Sequence, residues 1–281
     1  MAGATVNAVD YRGRTTLITG ASSGLGAEFA RQLAARGSHL VLVARREDRL
    51  EALAGQLSAA HGVKAESIAM DLSVDGCGEL LAAEVDRRGI AVSSVINNAG
   101  FGTYGRFHEE DPQRLRQEVG LDVTAVVDIS RAFIGPLRRR GEGVLVNLAS
   151  TAAYQPVPYM AVYGATKAFV LSFTEALWHE SRGTGLRVMA LSPGATRTEF
   201  FDVVGTEDAA SGTRMQTSEE VVRTALKALD RRNPPPSVVS GAMNRIMTLS
   251  GRFASRRTVV RIVGRMISPR GSSAVRASAQ G

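Results

Sequence analysis

Thr19-Gly20-Ala21-Ser22-Ser23-Gly24-Leu25-Gly26 decides how this chain is read. It continues directly from the β-branched run Thr15–Thr19. It opens onto Ala27–Arg36, where apolar residues recur at helical spacing. Glycines between a strand and a helix let the backbone turn tightly and approach a ligand closely. The helix that follows offers free N–H groups and the positive end of its dipole. Such a turn suits a pyrophosphate; without a ligand it is simply a tight β–α connection.

Outward from this loop the pattern repeats. Strand candidates are Thr15–Thr19, His39–Ala44, Ala65–Met70, Ser94–Asn97, Gly143–Leu148 and Arg187–Ser192. Helical patterns such as Ala27–Arg36 and Arg49–His61 separate them. Alternation of this kind predicts βαβ units, and so an α/β fold with a doubly wound parallel sheet and helices on both faces. Leu40-Val41-Leu42-Val43 is apolar throughout, as a strand buried on both faces requires. Asn233-Pro234-Pro235-Pro236 interrupts the alternation, because proline neither continues a helix nor fills a central strand. The α/β unit is therefore expected to span residues 1–236, with an amphipathic helical extension over 237–268. The Ser/Ala/Gly-rich end, 269–281, is expected to be disordered.

The composition closes off other classes. The chain has 281 residues, enough for a sizeable core. Its single cysteine, Cys77, excludes an internal disulfide, and its four histidines lack metal-ligand spacing, so no metal is implied. No apolar run approaches the ~18 residues of a spanning helix, and the N-terminus lacks a signal-peptide layout. A soluble, cytoplasmic protein is the expectation. The net charge of +7 is unevenly placed. Residues 230–281 hold ten Arg and one acid, whereas residues 1–229 hold 24 basic and 26 acidic residues. Nucleic-acid binding through this tail lacks interleaved aromatics beyond Phe253.

The glycines are spaced Gly-x-x-x-Gly-x-Gly. Asn97-Asn98-Ala99-Gly100, the pentad Tyr163-Gly164-Ala165-Thr166-Lys167 and Pro193-Gly194 follow in order. With these four motifs the chain resembles the short-chain dehydrogenase/reductase family over residues 12–230. The resemblance implies a Rossmann-type domain, a nicotinamide cofactor and a carbonyl or alcohol substrate, with homo-oligomers common. It places the cofactor against Gly20, Ser22, Ser23, Gly24, Leu25 and Gly26, against Asp71 and Leu72 after the third strand, and against Asn98, Ala99 and Gly100. Asp71 reads equally as a helix N-cap. Asn97 reads as structural. Pro193, Gly194, Thr196 and Thr198 would close over the nicotinamide. The second strand ends at Ala44-Arg45-Arg46, where an acid would favour NAD. Two guanidiniums there favour the 2′-phosphate of NADP(H). They could instead be a solvated pair balanced by Glu47 and Asp48.

Tyr163 and Lys167, four residues apart, share one helix face. A neighbouring ammonium is expected to lower the phenol's pKa and let Tyr163 act as general acid or base. In the resemblance Lys167 also holds the nicotinamide ribose, and Ser150, thirteen residues before Tyr163, positions the substrate oxygen. Leu121-Asp122-Val123-Thr124-Ala125 matches the family's LNVTA with Asp122 in the Asn position. Ionised Asp only accepts hydrogen bonds, so the proton relay there would be retuned. Glu199 to Ser218 is a lid candidate, with Phe200, Phe201, Val203, Val204 and Met215 suggesting an apolar substrate. Phe101, Tyr154, Pro156, Val157 and Tyr159 are further pocket candidates. The expectation is an NADP-dependent oxidoreductase. The alternative is a dinucleotide-binding sensor or interaction protein whose catalysis Asp122 has weakened. Within 242–267, Met243, Ile246, Met247, Leu249 and Phe253, then Val259, Ile262, Val263, Met266 and Ile267, recur at helical spacing beside Arg257, Arg261 and Arg265. This amphipathic stretch would dock on the protein's own lid or a partner subunit, or bind an anionic membrane surface.

Overall fold

The computed structural model describes residues 8–205 and 215–268. The C-terminal stretch 269–281, expected to be disordered, lies outside them.

Seven strands form one parallel sheet in the order β3-β2-β1-β4-β5-β6-β7. They are β1 (Thr15–Thr19), β2 (His39–Ala44), β3 (Ala65–Ala69), β4 (Val92–Asn97), β5 (Val144–Leu148), β6 (Arg187–Ser192) and β7 (Ser237–Val239). The helices are α1 (Gly24–Ala35), α2 (Glu47–His61), α3 (Cys77–Arg87), α4 (Pro112–Val119), α5 (Ala125–Arg140), α6 (Ala161–Glu180), α7 (Phe200–Val204), α8 (Ser218–Leu229), α9 (Ala242–Ser250) and α10 (Arg256–Ile267). A π-helical turn, Gly120–Thr124, joins α4 to α5.

The continuous apolar strands do what two-faced burial requires. In β2, Leu40 and Leu42 enter the core shared with α1, α2 and α8, beside Phe29, Leu50 and Leu226. Val41 and Val43 enter the opposite core with Leu81, Ile129 and Phe133 of α3 and α5. Strand order reverses between β1 and β4, and their neighbours run outward from there. The carboxyl ends of these two strands therefore flank the crevice in which an open α/β sheet takes its ligand.

The expected six strands are present, but the boundary at 236 falls short. Ser237–Val239 pairs with Ala190–Ser192 as β7, beyond the prolines. The Ala190 amide donates to the Pro236 carbonyl at 2.9 Å. A proline can flank an edge strand because only its missing N–H is lost to pairing. The sheet thus reaches into the expected extension, and α9 starts three residues past β7.

Candidate active site

One cavity of about 660 Å³ lies at the carboxyl ends of β1, β2, β4, β5 and β6. It gathers the glycine loop, the β2 end, the β4 loop, the Ser-Tyr-Lys set and the Pro193-Gly194 turn.

The glycine loop is held by its neighbour as well as its own turn. Gly20 has φ +65°, and a Cβ there would meet Asn98 Nδ2 at 2.8 Å and Ala99 Cα at 2.9 Å. A Cβ on Gly26 would meet Asn98 Nδ2 at 2.6 Å. Asn98 Nδ2 donates to the Thr19 carbonyl at 2.9 Å, and Thr19 Oγ1 accepts from the amides of Asn98 and Ala99. Asn98 thus lines the cavity while tying the β1 loop to the β4 loop. Asn97 is structural: its amide donates to Asn147 Oδ1 at 2.9 Å and Ser130 Oγ at 3.2 Å. The first turn of α1 carries no acidic residue, and Ser23, its N-cap, makes no capping bond from its side chain. The loop is therefore a donor-rich cradle with no carboxylate of its own, which fits a pyrophosphate.

Arg45 and Arg46 both line this cavity beyond the loop, with Asp71 and Leu72. Arg46 is already engaged. Its guanidinium donates to Ser22 Oγ and Ser23 Oγ at 2.9 Å and pairs with Glu199 at 2.8 Å. Arg49 pairs with the other oxygen of Glu199 at 2.6 Å. Asp71 accepts from the Ser73 amide and hydroxyl, which, with some help from Arg45, hold its carboxyl below its usual range. It caps its own turn while facing the cavity.

Ser150, Tyr163 and Lys167 converge where β5 ends and α6 begins. Ser150 caps the turn after β5, accepting from the Ala152 amide at 3.1 Å, and its hydroxyl is near enough to Tyr163 to draw the phenol's pKa down. Lys167 is almost fully buried. Its ammonium lies 5.5 Å from the centre of the Tyr163 ring and donates to the Leu148 carbonyl at 3.3 Å.

Asp122 sits on the π-helical turn, fully buried, with one carboxylate oxygen 3.0 Å from Lys167 Nζ. Its other oxygen accepts the Phe101 amide at 3.0 Å. This geometry corrects the expected tuning. Lys167 does pull the phenol's pKa down, but burial raises it more and Asp122 adds to the rise, so Tyr163 lies above its ordinary value. Burial alone would push Lys167 down; Asp122 and Tyr163 overcome this and hold it as a cation. Burial raises Asp122, and Lys167 draws it back.

Two participants carried no sequence signal. Glu118, one helical turn before Asp122, is fully buried and accepts from Thr103 Oγ1 at 2.8 Å. Burial pushes its carboxyl up to about 7, and the nearby Asp122 adds to this. Glu199, which the sequence marks only as the start of a lid, pairs with Arg46 and Arg49.

The pocket candidates divide. Phe101, Val157, Phe200, Phe201 and Val203 line the cavity; Tyr154, Pro156, Tyr159, Val204 and Met215 do not. Residues 206–214 of the lid lie outside the described residues. Phe200 packs against Tyr163 with the rings tilted 50° and their centres 5.3 Å apart. The C-terminal helices also reach the cavity. Met247, Val259, Ile262, Val263, Met266 and Ile267 line it. Val263 and Ile267 are buried against Val157 and Met160, and Tyr104 Oη donates to the Ile267 carbonyl at 2.5 Å. Docking on the chain's own active-site region is thus seen for one face of α10. Pro193, Gly194, Thr196 and Thr198 border the same space, and Thr198 Oγ1 accepts the Phe200 amide at 3.3 Å.

The chain is similar to known proteins. The family profile for short chain dehydrogenases matches residues 14–209. Sulfoacetaldehyde reductase of Chromohalobacter salexigens is 36% identical over 73% of this chain and 83% of its own length. The very-long-chain 3-oxoacyl-CoA reductase of Mus musculus is 27% identical over 68% of this chain and 62% of its own length. Among solved structures, a short-chain dehydrogenase from Sphingobium yanoikuyae in complex with NADPH is 33% identical, with a TM-score of 0.75 over 92% of this chain and 97% of that one. A 7β-hydroxysteroid dehydrogenase is 25% identical, with a TM-score of 0.80 over 92% and 99%. The chain is an oxidoreductase of the short-chain dehydrogenase/reductase family.

Proposed function

We propose that this protein is an NADP(H)-dependent carbonyl reductase or alcohol dehydrogenase acting on an apolar substrate. One observation carries the reading. The glycine cradle, the Ser150–Tyr163–Lys167 set and an apolar wall of Phe200, Phe201, Val203 and Val263 line a single cavity. Bound nicotinamide would supply or accept the hydride. Tyr163 moves the proton at the substrate oxygen, and Ser150 holds that oxygen beside it. Lys167 holds the ribose hydroxyls and offsets part of the burial that raises Tyr163. Arg45, open to the cavity and without an ion pair among the described residues, takes the 2′-phosphate; Arg46 joins it by leaving Glu199. The similarity to an NADPH complex supports the choice of nucleotide.

A titration with NADPH and NADH, followed by an aldehyde and ketone panel, tests this. Tighter NADPH binding and turnover that Tyr163→Phe abolishes are expected. The alternative, a dinucleotide-binding sensor, draws on the 3.0 Å pairing that ties Lys167 to Asp122. NADPH binding with no turnover across the panel would favour the sensor.

A further inference from the structure

The cavity does not end at its walls. Val203, Met247, Ile262 and Met266 line it, yet each is between 36% and 51% exposed. Its mouth is therefore apolar on the inside and on the rim. On α9 and the turn that follows it, Met243 is 67%, Ile246 61% and Phe253 92% exposed. A Phe so exposed has no packing role among the described residues. A cluster of exposed large apolar side chains on one pair of helices marks a partner or a membrane.

The charge around the mouth selects between them. Residues 242–267 contain six Arg and no acidic residue. Arg245, Arg256, Arg257, Arg261 and Arg265 are exposed, and none forms an ion pair with a described residue. In α10, Val259, Val263 and Ile267 point into the chain at i, i+4 and i+8, while Ile262 and Met266 stay on an outer face. The helix is thus apolar on two sides. One is used by the fold and the other, next to the Arg stripe, is not. A two-fold contact between copies through this patch would set Arg against Arg with no acid to answer it. An anionic lipid surface answers both features. Its headgroups neutralise the guanidiniums, and its acyl boundary accepts the apolar side chains. Among the described residues no helix is long and apolar enough to cross a membrane. The contact is therefore one that lies on the surface.

We propose that α9 and α10 form an interfacial platform that seats the protein on anionic phospholipid, with the active-site mouth opening toward the acyl region. The substrate is then a carbonyl or alcohol dissolved in the bilayer. This second step rests on the oxidoreductase reading; the seating itself does not.

Co-sedimentation of the full chain with vesicles tests the seating. Vesicles of phosphatidylglycerol and phosphatidylcholine should retain the protein, pure phosphatidylcholine should retain little, and raised salt should release it. Each Arg at an anionic surface contributes about fivefold in partition. Charge reversal by Arg257→Glu, Arg261→Glu and Arg265→Glu together should weaken binding at least ~100-fold. Ile246→Ser with Phe253→Ser should weaken it about tenfold or more, through the apolar part alone. Both variants should keep wild-type NADPH turnover of a water-soluble aldehyde, which marks them as folded. Equal retention on neutral and anionic vesicles, or full retention of the triple variant, overturns the proposal. So does light scattering showing a wild-type dimer that Ile246→Ser with Phe253→Ser dissociates. Anionic-vesicle binding by a protein that turns over nothing would uphold the seating and sink the oxidoreductase reading instead.

Discussion

Asp122 and Lys167 form a buried ion pair, and breaking it from either side should be costly. Asp122 is fully buried and Lys167 nearly so, with 3.0 Å between the charged atoms. Removing one partner of such a pair costs about 3–5 kcal/mol, because the other charge stays buried without compensation. Asp122→Asn adds a specific conflict. Asp uses one oxygen for the Phe101 amide and the other for Lys167. Asn has one oxygen, so one of these donors faces an NH2 group whichever way the amide turns. Lys167→Met leaves a fully buried carboxylate with only neutral donors. Each single variant should therefore lose about 3 kcal/mol or more. The double variant removes both charges, and its single Asn oxygen still serves the Phe101 amide. Its loss should be no more than about 3 kcal/mol, against a sum of about 6, giving a coupling of about 3 kcal/mol. Urea unfolding of the cofactor-free protein near neutral pH reads all four states of this cycle without requiring activity. Losses that add to within ~0.5 kcal/mol would refute the pairing and the charge states assigned to it.

The same region sets three further expectations. Asp122 raises Tyr163, so in Asp122→Asn the alkaline rise of alcohol oxidation should move to lower pH. A pH profile of kcat/KM checks this, and a shift to higher pH would count against it. Glu118 titrates near 7 in the fold against 4.5 in its ordinary state. The folded chain therefore holds its proton more tightly than the unfolded chain. Stability should fall as pH rises from about 4.5 to 7, by about 3 kcal/mol in all. Glu118→Gln, whose carbonyl can still accept from Thr103, should remove that slope in urea unfolding measured across this window. A wild-type stability that is flat there would contradict it. On the proposed NADP(H) reading Glu199 would compete with phosphate for Arg46, through an exposed pair worth at most about 1 kcal/mol. Glu199→Gln should tighten NADPH up to about fivefold and leave NADH unchanged, as read by fluorescence titration. Equal gains for both cofactors would mean that Glu199 acts on the loop and not on the phosphate site.

How much of this was legible in the sequence follows from the range over which each feature is determined. The β1–loop–α1 unit is local, and its Gly20 and Gly26 stand where a Cβ would strike Asn98. β2 is similarly plain, because burial on both faces forces an unbroken apolar run. β7 has three residues and is defined by pairing with β6, so the prolines before it hid the edge of the sheet. The proposed catalytic set was legible only through the family resemblance, although its placement is simple: Tyr163 and Lys167 share a helix and Ser150 follows a strand. Their electrostatics were not legible. The sequence pattern marks Lys167 as near Tyr163, but the sign of the net shift depends on how deeply both are buried.

Asp122 shows why that distinction matters for function. A residue that differs from the resembling family by one atom group reads as a small change of hydrogen bonding. In the fold it becomes a full counter-charge 3.0 Å from Lys167, with Glu118 a turn away at the edge of ionisation. Two buried carboxylates then share one buried ammonium, and the pair cannot both ionise without leaving excess negative charge beside Tyr163. The protonation state of Glu118 thus sets how much of the Lys167 charge reaches the phenol. With Glu118 protonated, only Asp122 opposes Lys167. Ionised, Glu118 adds a second negative charge that raises Tyr163 further. Carbonyl reduction, which needs Tyr163 protonated, tolerates that rise; alcohol oxidation, which needs the phenolate, is disfavoured by it. On the proposed function the carboxylates would bias the site toward reduction, and comparing the two directions in Glu118→Gln would expose the bias. Oxidation should gain relative to reduction above pH 7. An unchanged ratio would mean that Glu118 shapes the fold around Thr103 without reaching the chemistry.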